Sequence, residues 1–253
     1  MRRIRITLSY DGTEYYGWQV QPGLPTIQGV LEGVLSEIES AAVKVEGSGR
    51  TDAGVHALGQ VAAFSLNNPI PTPNLEKAMN RQLPRDIRIL SAEETQENFH
   101  PRYDATAKTY EYRILRVPIG SPFERRYVHH YPYPLNEARI VELARTLEGE
   151  HDFTAFAASD DADALGRSKV RRIFSSTATR QGDRLVYRVR GSGFLKHMVR
   201  NIVGVLLEAG KGNILDLEEH FTNKAPPGPT APARGLFLVS VEYDPRNPPV
   251  APS

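Results

Sequence analysis

Polar and apolar residues alternate most clearly at the start of the chain. Ile4, Ile6, Leu8 and Tyr10 are interleaved with Arg3, Arg5, Thr7 and Ser9, a period of two that predicts a strand with one face in a core and one in water. The Asp11-Gly12 pair then suits a turn. Thr26 stands where an N-cap belongs, and Ile27, Val30, Leu31, Val34, Leu35 and Ile38 recur at three- and four-residue spacing, which predicts an amphipathic helix. Shorter strands are expected near Val43 to Glu46, Gln60 to Phe64 and Ile87 to Leu90, with a helix from about Asn74 to Leu83 that Pro84 stops.

A similar order recurs further along. Asn136 caps a predicted helix running to Leu147, and Leu185, Tyr187 and Val189 mark a strand ending at Arg190. A Gly191-Ser192-Gly193 turn leads into an apolar helix from about His197 to Glu208, and Leu236 to Tyr243 alternates as a closing strand. Strands mixed with helices, without repeated glycine-led crossovers, predict an α+β fold with helices gathered on one side of the sheet. The echo divides the chain into halves of residues 1–104 and 105–253. Lys224 to Pro232 and Pro245 to Ser253 read as loops, and Ala157 to Lys169, with Asp160, Asp161 and Asp163, reads as a surface loop.

Composition narrows the class. With 253 residues and 40% hydrophobic content there is enough material for ordinary cores. No cysteine is present, which excludes disulfides and thiolate metal sites. The Met-Arg-Arg-Ile-Arg start has no apolar run behind it and no stretch is long enough to span a membrane, so a cytoplasmic location is expected. The net charge of +1 hides an uneven distribution, since Arg167 to Arg200 holds ten Lys or Arg against one acid, Asp183. Arg188 and Arg190 share one face of their strand and can form a basic stripe for a phosphate backbone.

Candidate chemistry centres on the eleven residues from Gly47 to Ala57, Gly-Ser-Gly-Arg-Thr-Asp-Ala-Gly-Val-His-Ala. They set one carboxylate, Asp52, in a glycine-rich turn two residues from Arg50, a cation that favours the ionised form of a nearby acid. A dinucleotide fingerprint fails there, because a third glycine would be needed where Asp52 stands. No Gly-Lys-Ser or Gly-Lys-Thr phosphate loop and no His-Glu-x-x-His pair occurs, so neither a cofactor nor a metal is expected. Glycoside hydrolysis would ask for a second carboxylate, for which Asp11 is the one candidate, although Asp-Gly is better read as a turn. A non-catalytic RNA-binding module is the alternative of a different class.

Four stretches in chain order carry a resemblance to a known family. GRTDAGVHA (Gly49 to Ala57), YDGTEYYGWQVQP (Tyr10 to Pro22), ATAKTYEYRI (Ala105 to Ile114) and FLKHMVRNIVGVLLEAG (Phe194 to Gly210) resemble the TruA-type tRNA pseudouridine synthases, over about residues 3 to 244. The resemblance implies a pseudouridine synthase fold with ferredoxin-like repeats in two sheet-plus-helix halves around a central basic cleft. It implies isomerisation of uridine to pseudouridine at positions 38, 39 and 40 of the tRNA anticodon arm, without cofactor, by a homodimer in which one tRNA touches both subunits.

On this reading Asp52 is the nucleophile, adding to uracil C6 or ribose C1′, and a cation must keep it ionised. Arg200, in a helix apolar nearly all round, is the better structural partner, and in the resembled family the matching arginine pairs with the nucleophilic aspartate. Tyr110 takes the place of the tyrosine that stacks on the target uracil and is a candidate for removing the C5 proton, while Tyr112 is assigned to packing. Arg50 is expected to contact the flipped nucleotide or its phosphate, and Arg188 and Arg190 the RNA backbone. Trp18 is assigned to packing.

Overall fold

The computed structural model describes residues 1–159, 166, 168–214, 216–222 and 228–244. Asp160, Asp161, Asp163, Arg167, residues 224–227 and the tail from Pro245 lie outside them. The chain forms two compact units, one of Met1–Thr106 with the segment from Phe237, the other of Ala107–Leu236. The C-terminal strand belongs with the first unit from Phe237 onward, whereas a boundary at residue 105 places it in the second.

In the first unit the elements run β1 (Arg2–Tyr10), α1 (Ile27–Glu39), β2 (Glu46–Gly47), β3 (His56–Leu66), α2 (Thr72–Gln82) and β4 (Ile87–Thr95). β1 lies between β4 and β3, antiparallel to both, and β2 pairs antiparallel with β3. A βαββαβ series in the strand order 4-1-3-2 is the ferredoxin-like arrangement that the resemblance implies. The closing strand β10 (Leu236–Tyr243) runs parallel to the start of β3, with Phe237 opposite His56 and Leu238 opposite Ala57. Ile4, Ile6, Leu8 and Tyr10 all face inward, as their alternation requires. Thr26 caps α1 by accepting from Gly29 N–H at 3.3 Å.

Of the strand expected from Val43 to Glu46 only Glu46 joins the ladder, together with Gly47. Val43 N–H donates to Ser36 Oγ and Val45 N–H to Glu32 Oε1, at 3.1 and 3.0 Å. The alternating valines still bury their side chains, but α1 side chains take the amides that a sheet partner would use.

The second unit contains β5 (Ala105–Leu115) from Ala107 onward, β6 (His129–His130), α3 (Glu137–Arg145), β7 (Gly149–Asp152), β8 (Val170–Gln181), β9 (Arg184–Gly191), α4 (Met198–Gly210) and the short α5 (Glu218–Phe221). Its sheet order is β5-β9-β8-β7, antiparallel throughout, with β6 parallel to β5. β5, α3, β8, β9 and α4 repeat the βαββα series of the first unit, and β5-β9-β8 repeats its 1-3-2 strand order. Asn136 caps α3, accepting from Arg139 N–H at 3.1 Å. Ile114, Leu185 and Tyr187 meet Ile140 of α3 and Val203 and Leu206 of α4 on one sheet face. On the other face Glu111, Arg113, Arg184 and Val186 line a concavity of about 620 Å³. The sheet therefore has one face covered by helices and one open, the pattern expected of an α+β unit.

Candidate active site

Asp52 lies in the connection between β2 and β3, and its position follows from what holds that connection. Ser48 N–H donates to Val61 O at 2.8 Å, so the loop leaves the sheet by a ladder-like bond. Val55 N–H donates to Asp52 O at 3.1 Å, closing a turn in which Gly54 takes φ +75°. Thr51 and Val55 are buried, which leaves Asp52 half-buried between two fixed neighbours.

The segment from Tyr10 to Trp18 packs along this loop. Trp18 N–H donates to Thr51 O at 3.0 Å and Gly54 N–H to Tyr15 O at 3.3 Å. The approach is close enough to demand glycine. At Gly17, φ is +86° and a Cβ would stand 2.5 Å from Thr51 O, while a Cβ on Gly47 would meet the Trp18 indole at 2.5 Å. Trp18 is buried, in agreement with its packing assignment. Two of the four sequence stretches that carry the resemblance are therefore two sides of one structure.

Asp11 is engaged in a local turn. Its Oδ1 accepts from Thr13 N–H at 3.0 Å and from the Thr13 hydroxyl at 2.6 Å, and it lies 3.1 Å from His56 Nδ1. That geometry agrees with an Asx turn and gives no support to a second catalytic carboxylate. Arg50 is exposed.

Two residues that the sequence places only in strands, Gln60 and Tyr10, shape the loop from beneath. Gln60, wholly buried in β3, donates from Nε2 to Gly49 O at 3.0 Å and, more weakly, to the Tyr10 hydroxyl at 3.4 Å. Its Oε1 accepts from the Ser48 hydroxyl and from Val61 N–H. The Tyr10 hydroxyl meets Thr51 Oγ1 at 2.9 Å, and burial pushes its pKa up to about 12, so it stays a neutral phenol at working pH. A glutamine in the middle of a largely apolar, buried strand is the sequence signal for this network.

The second unit supplies the remaining predicted residues. Tyr110 is buried on the helix-covered face of β5, its ring edge-on to Phe194 at 5.0 Å and 78°. Phe194 heads the Phe194 to Gly210 stretch, where the sequence by itself gives it no part in the site. Tyr112 is fully buried and donates to Pro232 O at 2.8 Å; burial raises its pKa, as suits the packing role assigned to it. Arg200 is the third residue of α4, a helix buried along most of its length, and its Nε donates to Ala231 O at 2.8 Å.

Arg188 and Arg190 share a face, as their spacing predicts, but it is the open face, opposite to that of Tyr110. In the β5–β9 register Val189 pairs with Tyr110 and Arg188 with Glu111. Arg188 stands 4.0 Å from Glu111, and the Arg190 guanidinium lies over the Phe174 ring at 4.9 Å. The basic stripe is therefore interleaved with an acid and an aromatic ring. Among the described residues no group of three or more His, Cys, Asp or Glu is arranged to hold a metal ion, and no helix is long and apolar enough to cross a membrane.

Comparison with known proteins gives the same answer along nearly the whole chain. A family model described as tRNA pseudouridine synthase matches residues 6–104 and 143–244. Asp52, Arg188, Arg190 and Arg200 fall inside these ranges and Tyr110 outside them. The tRNA pseudouridine synthase A of Solibacter usitatus is 68% identical over 243 residues, covering 96% of this chain and 100% of its own length. Proteins of the same name from Limosilactobacillus fermentum and Geobacter sulfurreducens are 43% and 42% identical, each match covering 96% of this chain and 97% and 100% of theirs.

Proposed function

The chain belongs to the tRNA pseudouridine synthase family, and from that premise we propose that it isomerises uridines 38, 39 and 40 in the tRNA anticodon arm with Asp52 as nucleophile. It is an isomerase of that family, and its mixed α+β units are in keeping with that membership. The reaction breaks the bond from ribose C1′ to base N1 and forms one from C1′ to C5. The C5 proton leaves and N1 gains one, so no electron acceptor is consumed. The protein must supply a nucleophile, a grip on the detached uracil while it turns, and a base for the C5 proton.

The observation that carries this reading is the fixing of Asp52. A half-buried carboxylate stands between two buried residues in a turn clamped by Trp18 and Tyr15. Such clamping suits a group that must meet one atom of an extruded nucleotide. Arg200 is assigned the cation and Tyr110 the ring that stacks on uracil and accepts the C5 proton. The edge contact with Phe194 supports the stacking role, since it fixes the plane of the ring. Arg50, exposed beside the turn, is assigned the phosphate of the flipped nucleotide. Arg188 and Arg190, on the open face, are assigned backbone phosphates away from the target base. A homodimer sharing one tRNA, working in the cytoplasm, completes the proposal and rests on the resemblance to the family.

Mass mapping of pseudouridine in tRNA before and after exposure to the purified protein tests it directly. Product is expected at positions 38 to 40 and nowhere else in the anticodon arm. Asp52→Asn and Asp52→Ala should bind tRNA and form no pseudouridine; product from either variant would remove Asp52 from the nucleophile role.

A further inference from the structure

Between the nucleophile's loop and the sheet beneath it lies a polar cluster sealed from water. Ser48 and Gln60 are 0% exposed, Tyr10 4% and Thr51 6%. Buried polar groups persist when each finds a partner, and Gln60 is fully committed. Its amide hydrogens go to Gly49 O and the Tyr10 hydroxyl, and its carbonyl accepts from Ser48 and Val61. The Tyr10 hydroxyl, which accepts from Gln60, shares a second hydrogen bond with the Thr51 hydroxyl, 2.9 Å away. The chain of bonds runs from the middle of β3 through the end of β1 to the residue before Asp52.

We propose that Gln60, Tyr10 and Thr51 form a strut whose task is positional, setting where the Asp52 carboxylate points without themselves touching the substrate. This rests on Asp52 being the nucleophile. The arrangement is economical of atoms for such a role. Thr51 is held on its carbonyl by Trp18 N–H and on its side chain by Tyr10, so two bonds at one residue remove the freedom of the peptide that leads into Asp52. A glutamine and a tyrosine spent on holding a loop against water-free surroundings would add little to a core that leucine and phenylalanine could fill. Preorganising a reacting group through partners fixed in the scaffold gives them a purpose.

The test uses Tyr10→Phe, Thr51→Val and the double variant, with Thr51→Ser as the conservative replacement. Tyr10→Phe keeps the ring that lies 6.2 Å from Trp18 and deletes the hydroxyl alone. Each single variant should lower kcat about ten- to hundredfold with KM for tRNA unchanged, since a displacement approaching 1 Å costs roughly that much. The double variant should be no worse than either single, because one strut is broken once. Thr51→Ser should restore kcat to within about threefold of the parent, and a purely structural role would show instead as a lowered unfolding temperature with kcat intact.

Wild-type kcat in both single variants, or multiplicative losses in the double, overturns the strut. Should Tyr10→Phe not fold, Thr51→Val against Thr51→Ser decides alone. Asp52→Asn is measured alongside. Turnover in that variant overturns the nucleophile reading, whereas its loss together with unaltered kcat in Tyr10→Phe and Thr51→Val overturns only the strut.

Discussion

Gly17 offers the sharpest perturbation of the loop contact, because two separable effects meet there. Its φ of +86° lies in the left-handed region, and a Cβ would stand 2.5 Å from Thr51 O, where ordinary contact begins at 3.4 Å. Gly17→Ala must therefore push the Thr51 carbonyl back by about 0.9 Å, weakening its bond from Trp18 N–H and carrying Asp52 with it. The backbone conformation costs a further 1–2 kcal/mol, roughly. Gly23 is the natural control. It has φ +73° and nothing within 4 Å of its Cβ position, so Gly23→Ala meets the conformational cost without the push.

Both substitutions should lower the unfolding temperature by a few degrees, at about 2–4 °C per kcal/mol for a chain of this size. Only Gly17→Ala should lose turnover, by roughly a hundredfold if a shift near 1 Å misaligns the carboxylate. Steady-state pseudouridine formation on one tRNA transcript, with melting curves for both variants, reads out the two effects independently. Parent-like kcat in Gly17→Ala would refute the reasoning, since it would mean that the loop can retreat by most of an ångström without consequence for the chemistry. Equal losses in both variants would refute it as well, by tying the effect to backbone strain alone.

Other expectations follow from groups outside this contact. Burial, with Arg234 and His130 adding to it, pulls the His129 pKa from 6.5 down to about 4, and its Nδ1 has no hydrogen-bond partner among the described residues. The unfolded chain binds that proton below about pH 6.5 and the folded chain only near pH 4, so stability falls as pH drops through this window and levels off beneath it. Buried His220 is shifted in the same direction and adds to the limb. His129→Gln should make the limb shallower in denaturant unfolding measured from pH 7 to pH 4, and an unchanged slope would contradict the assignment. Asn136→Ala removes the cap on Arg139 N–H and should cost about 1 kcal/mol in melting experiments with kcat unaltered. Added chelator should leave pseudouridine formation intact, and a loss reversed by a metal ion would refute the metal-free reading.

The elements that local pattern predicts are those whose partners leave the pattern undisturbed. β1 and α1 have one buried face each, and alternation or helical spacing marks it. β8 escaped notice because its covered face, with a register break between Ile173 and Ser175, presents Ile173, Ser176 and Ala178, too small and too polar to stand out as a period of two. Ser176 is at home there because its hydroxyl meets the Tyr187 hydroxyl at 2.9 Å, a partner on another strand.

The same division runs through the site. Asp52 stands out as a residue type, a lone carboxylate among glycines, and so is legible in the sequence. What Arg188 can do depends on Glu111 lying beside it, 77 positions away in the chain, through the β5–β9 register; no local feature of the basic run discloses this. Gln60 lies between these cases. It sits in a strand buried on both faces, where a polar side chain implies a fixed partner, and the strand follows directly on the loop that carries the carboxylate. A buried amide so placed is a signal that a sequence can give, because the cost of leaving it unpaired restricts what the neighbouring loop can do.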